Sequence, residues 1–89
     1  MLETFTAETF SPHLKSTFRI ADGPEVQLDE VRELGAARDE GRAPFSLAFS
    51  GPTEPVLAQQ TYQVAHDELG SFELFLVPLG PGVYEAVFA

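Results

Sequence analysis

Several short stretches of this chain alternate apolar and polar residues with a period of two, and its end holds two dense apolar runs. Residues 71–79 read Ser-Phe-Glu-Leu-Phe-Leu-Val-Pro-Leu and residues 83–88 read Val-Tyr-Glu-Ala-Val-Phe, separated by Gly80-Pro81-Gly82. Two runs rich in β-branched and aromatic residues around a Gly-Pro-Gly turn predict a β-hairpin. Phe72, Leu74 and Leu76 fall on one face of its first strand, with Glu73, Phe75, Val77 and Leu79 on the other. Both faces are therefore largely apolar. One can line a core; the second needs cover from elsewhere, which points to a partner or to self-association.

Upstream, the pattern predicts a short helix and four more strands. Residues 4–14 read as a helix that Thr6 caps, with Glu8 in its first turn and Pro12 ending or kinking it. Phe5, Phe10 and Leu14 are its candidates for covering one end of a sheet. A first strand spans 17–21 with Phe18 and Ile20 inward, followed by an Asp22-Gly23-Pro24 turn. Residues 25–34 begin with a clean alternation of Val26 and Leu28. The phase then slips at Val31, which breaks the parity of Val26 and Leu28. A β-bulge near Asp29-Glu30 explains the slip. A helix over 28–37 is the competing reading, since Leu28, Val31 and Leu34 also fit a period of 3.6; the alternating start favours the strand. Residues 35–43 form a polar loop between glycines, the segment expected to be most mobile. Residues 44–50 alternate with Phe45, Leu47 and Phe49 inward. Residues 51–60 hold two prolines and no alternation, so they read as a connection with Val56 and Leu57 tucked in. Residues 61–66 form a fourth strand with Tyr62, Val64 and His66 on one side, and Asp67 to Gly70 a tight turn in which Gly70 supplies a positive φ.

Six short strands with Gly, Pro and Asp turns, and no strand-helix-strand spacing, predict a mainly β fold: a small antiparallel β-barrel or sandwich with a short N-terminal helix. The 89 residues are expected to make a single domain, 1–89. A chain this long buries roughly 60–70% of its unfolded surface, and eight phenylalanines supply large core pieces. There is no cysteine, hence no disulfide framework and no thiolate metal site. The N-terminus Met-Leu-Glu-Thr-Phe has neither a basic stretch nor a long apolar one, so synthesis in the cytoplasm without a signal peptide is expected, with the final location open.

Charge narrows the partners. The net charge is −9, and all five basic residues (Lys15, Arg19, Arg32, Arg38, Arg42) precede position 45. Binding to nucleic acid or to an anionic membrane needs cations aimed at phosphates, and neither is expected. Carboxylates scattered through turns also fit poorly with the paired rows that imitation of a nucleic acid would require. Candidate chemistry is sparse. His66-Asp67-Glu68 are neighbours that point in different directions, His13 lies in another segment, the serines carry no nucleophile-elbow pattern, and the acid pairs Asp29/Glu30 and Asp39/Glu40 are sequence neighbours. No catalytic residue, cofactor or metal is expected. An enzyme would require a pocket that gathers His66 with an Asp or Glu.

The hairpin offers more. Glu73 and Glu85 should face solvent, which places Phe75, Val77, Val83 and Val87 on the same outer side as one apolar patch rimmed by the two carboxylates. Such patches mark interaction sites. The alternative is that the helix or the 51–60 segment covers them. Pro78 cannot donate to a ladder and predicts an edge or a bulge; an edge would admit an added strand from a partner.

The opening Leu-Glu-Thr-Phe-Thr-Ala-Glu-Thr-Phe-Ser-Pro-His, the central Pro-Phe-Ser-Leu-Ala-Phe-Ser-Gly-Pro, the stretch from Gln59-Gln60-Thr61-Tyr62 through Leu79-Gly80-Pro81, and the terminal Tyr-Glu-Ala-Val-Phe resemble a family of small bacterial proteins, a domain of unknown function. The resemblance spans nearly the whole chain apart from the 35–43 loop. Members occur near genes for phage-tail-collar-like fibre proteins, so it implies an accessory or structural part of a tail-like or filamentous assembly. It carries no catalytic residue across. The sequence thus predicts a non-catalytic structural or assembly subunit that joins itself or another protein through the hairpin, and second a binding module for a peptide or a basic protein.

Overall fold

A computed structural model of the protein describes residues 5–21, 23–35, 44–54 and 56–88. Its elements are a helix α1 (Ala7–Phe10), a 3-10 turn (Ser11–His13) and strands β1 (Thr17–Ile20), β2 (Glu25–Glu33), β3 (Phe45–Ser50), β4 (Gln60–His66), β5 (Gly70–Gly80) and β6 (Val83–Phe88). The strands form a closed antiparallel barrel in the order β1-β2-β3-β6-β5-β4. It is built from two three-strand meanders, β1-β2-β3 and β4-β5-β6. Two non-local pairings weld them, β3 to β6 over six residue pairs and β1 to β4 through Arg19–Ala65 and Ile20–Val64. Closure removes the sheet edges, so of the edge or bulge expected at Pro78 the bulge is what forms, and no edge is open there to an added strand. The β5–β6 register shifts between Pro78 and Gly80.

The period-two pattern sets what points inward. On β5, Phe72, Leu74 and Leu76 are buried while Glu73 and Phe75 are exposed; on β3, Phe45, Leu47 and Phe49 fill the interior. Ser46 faces outward yet is also buried. The phase slip in β2 is a bulge. Leu28 pairs with Phe49 and Glu30 with Ala48, leaving Asp29 as the extra residue, and the stretch is strand, not helix. Gly70 (φ 83) and Gly82 (φ 81) occupy the left-handed region at their turns, where a side chain would be strained.

The helix is shorter than the pattern suggested. Thr6 is its extended N-cap, and the Thr6 amide donates to Thr9 Oγ1 at 2.9 Å. Pro12, with no N–H to donate, lets the chain continue only as a 3-10 turn. Phe10 enters the barrel with no exposed surface, its ring 6.1 Å from Phe72 on β5 and 5.7 Å from Phe88 on β6. Leu14 does not join it and is 44% exposed, because the chain turns away through Lys15 (φ 73), whose amide donates to the Leu28 carbonyl at 2.6 Å.

The connection between β3 and β4 is held by one buried tyrosine. The Tyr84 hydroxyl donates to the Pro52 carbonyl (2.6 Å) and accepts from the Leu57 amide (3.0 Å). Leu57 packs on the core as expected; Val56 points outward and is exposed, since neighbouring residues of an extended segment face opposite ways. Thr4 at the expected helix start, Asp22 of the predicted turn and residues 36–43 of the predicted mobile loop lie outside the described residues.

Candidate functional site

Two surfaces bring together groups that could act, and the first is the outside of β5 and β6. Its centre is the cross-strand pair Val77–Glu85. Residues two apart on a regular strand share a face and stand about 7 Å apart, so Phe75 lies beside Val77, and Val83 and Val87 flank Glu85, while Leu79 is the extra residue of the bulge just past Val77. Phe75 is 49% exposed, Leu79 59%, Val83 44% and Val87 54%. Val77 and Glu85 are half-buried and Glu73, opposite Gln63, is exposed. All six residues singled out in the sequence thus point outward. Leu79, which the sequence placed on the same strand face but not in the patch, is the most exposed of the apolar residues here.

Among the described residues, neither candidate cover lies over this face. The helix sends Phe10 to the barrel interior, and Phe5 just before it packs against the core, 5.1 Å from Phe72. The 51–59 connection is anchored through Tyr84, whose side chain points into the barrel.

The second surface is a polar cavity of about 480 Å³ beside the 3-10 turn, lined among others by His13, Ser16, Arg19, His66, Asp67 and Glu68. Sequence reasoning treated the two histidines as belonging to unrelated segments. Here their rings meet edge to face at 4.6 Å. No sequence spacing signals that meeting, because it follows from how the N-terminal segment docks on the β4–β5 turn. The pocket gathers His66 with carboxylates, as an enzyme would require.

Its hydrogen bonds, however, run the wrong way for activating a nucleophile. His66 Nδ1 accepts from the amides of Glu68 (3.0 Å) and Leu69 (3.3 Å). The ring proton of neutral His66 is therefore on Nε2, which donates to Ser16 Oγ at 3.0 Å. The Ser16 hydroxyl in turn donates to the His13 carbonyl at 2.5 Å. A general base needs a free ring nitrogen facing the hydroxyl, and His66 offers Ser16 a proton instead. Burial pushes the His66 pKa below 6.5, helped by His13 alongside and by Arg19, against the pull of Glu68 and Asp67. Ion pairs rim the cavity: Arg19 with Asp67 at 3.0 Å, and His13 with Glu68 at 3.7 Å when His13 is protonated. Among the described residues no three His, Cys, Asp or Glu side chains stand together as metal ligands would, and no helix is long and apolar enough to cross a membrane.

Compared with known proteins, the chain matches one family model over residues 5–88, that of a domain of unknown function, DUF6916. No curated protein and no solved structure matches it.

Proposed function

The chain belongs to the DUF6916 family, whose description leaves the role open, and we propose that it is a non-catalytic structural or assembly subunit that docks through the outer face of β5 and β6. The observation that carries this is the exposure of Phe75, Leu79, Val83 and Val87 around one cross-strand pair while the barrel interior is already filled. Exposed apolar residues are ordinary singly; a group on one sheet face is the usual mark of a contact surface. A phage-tail-like or filamentous assembly is a setting in which such a subunit would serve.

Phe75→Glu tests the reading. It places a charge on the outer face and should leave the circular dichroism spectrum unchanged, lowering stability by no more than about 1 kcal/mol, the partial burial it forfeits. Association, read as molar mass by light scattering after size exclusion for the chain alone and mixed with candidate partners, should be lost. Association that survives the change refutes this face as the contact.

A further inference from the structure

We infer that the occupant of the β5–β6 face is a different protein, one that presents apolar side chains flanked by lysine or arginine, and not a second copy of this chain. The inference rests on the docking reading above and adds the partner's charge.

Glu85 lies in the middle of the apolar group. It pairs with Val77 on one side and Ala48 on the other, with Val83 and Val87 two residues before and after it. Glu73 stands two residues from Phe75. Among the described residues no cation lies within 4.0 Å of either carboxylate. Arg32 lines a shallow hollow beside Glu85, but its guanidinium is engaged by Glu30 at 3.2 and 3.3 Å. Covering this face removes water from a half-buried carboxylate, which is unfavourable unless the partner brings a cation to it.

Among its described residues, a second copy has no unpaired cation to bring. Of the five cations, Lys15, Arg19 and Arg32 lie among the described residues, and each is already paired, with Asp29 (3.7 Å), Asp67 (3.0 Å) and Glu30 (3.2 Å). Two-fold pairing of the face with itself would set the carboxylates of two chains around one apolar centre, and each chain brings a net charge of −9. A foreign surface with Lys or Arg around an apolar cluster turns the same carboxylates into attractions and a register.

The test uses the full chain, labelled with ¹⁵N, and three synthetic amphipathic helical peptides. One carries a leucine face flanked by lysines, one the same face flanked by glutamates, and one lysines with serine in place of leucine. The lysine-leucine peptide should shift the amide signals of Phe75, Val77, Val83, Glu85 and Val87. Its affinity should fall about 1.5- to 5-fold with each of Glu73→Gln and Glu85→Gln, the range of an exposed ion pair, and fall again in high salt. Equal binding of the glutamate-leucine peptide, or no effect of the two Gln variants, overturns the charge inference and leaves the docking face standing. So does a dimeric or larger mass for the unmixed chain that Phe75→Glu abolishes. Shifts spread over Glu8, Glu25 and Glu33, equal binding of the serine peptide, or no peptide shift with a one-chain mass overturns the docking face itself.

Discussion

Phe10 and Phe75 are the same residue type in opposite surroundings, and replacing each by alanine tests the orientation on which the functional reading depends. Phe10 has no exposed surface and stands among Phe5, Phe18, Phe45, Phe72 and Phe88, with ring centroids 5.2–6.3 Å away. Removing it opens a cavity at the place where the helix enters the barrel. Buried Phe→Ala changes cost about 3–5 kcal/mol, a large share of the roughly 4–13 kcal/mol expected for a chain of this length. At about 4–8 °C per kcal/mol, the melting temperature should drop by ~12 °C or more. Phe10→Leu, which keeps most of the volume, should cost about 1 kcal/mol. Phe75 keeps 49% of its surface in water. Its truncation forfeits only partial burial and leaves no enclosed void, so about 1 kcal/mol is expected. Urea unfolding followed by circular dichroism gives all three values, and an unchanged m-value confirms that the same transition is compared. If Phe75→Ala costs as much as Phe10→Ala, the outer face of β5 is covered in the free protein and the docking surface does not exist. If Phe10→Ala costs under about 1 kcal/mol, the helix does not complete the core.

Two further outcomes follow from local geometry. A histidine whose folded pKa is lowered binds its proton more readily when unfolded, so His66 makes stability rise with pH: its contribution is complete above 6.5 and is lost as pH falls below 6.5 towards the folded pKa. Unfolding free energies from pH 8 to 5 should show this loss as the difference between the wild type and His66→Gln; a flat difference refutes the buried, amide-bound His66. A Cβ at Gly51 would lie 2.8 Å from Val26 Cγ1 and 3.1 Å from Tyr84 Cε2, so Gly51→Ala should cost about 1–3 kcal/mol by overpacking. Gly70→Asn, with open space around a φ of 83, should cost less than ~1 kcal/mol, and the reverse order in urea midpoints would refute the tight approach at Gly51.

Much of the fold could be read along the chain because a strand's side-chain period is local. Phe45, Leu47 and Phe49 announce an inward face three times in five residues, and Gly70 and Gly82 stand where the turns need a positive φ. Even the irregularities left marks: the parity change after Leu28 is the bulge at Asp29, and Pro78 sits at the second bulge. Leu14 and Val56 read as buried because they are apolar, and both are exposed. Apolar character alone does not say which way a loop residue faces once its neighbours, Lys15 and Leu57, have taken the inward connections.

The order of apolar and polar residues by itself determined six strands, their inner and outer faces, and the acidic, apolar outside of the last hairpin, because each depends on residues within a few positions of one another. Only the tertiary structure decided that β3 joins β6 and β4 joins β1, that Phe10 enters the barrel while the outer face of β5 stays bare, and that His13 meets His66. These contacts link residues far apart in the chain, and they are selected by closing every strand edge and filling one interior together, a condition that no local stretch of sequence can express.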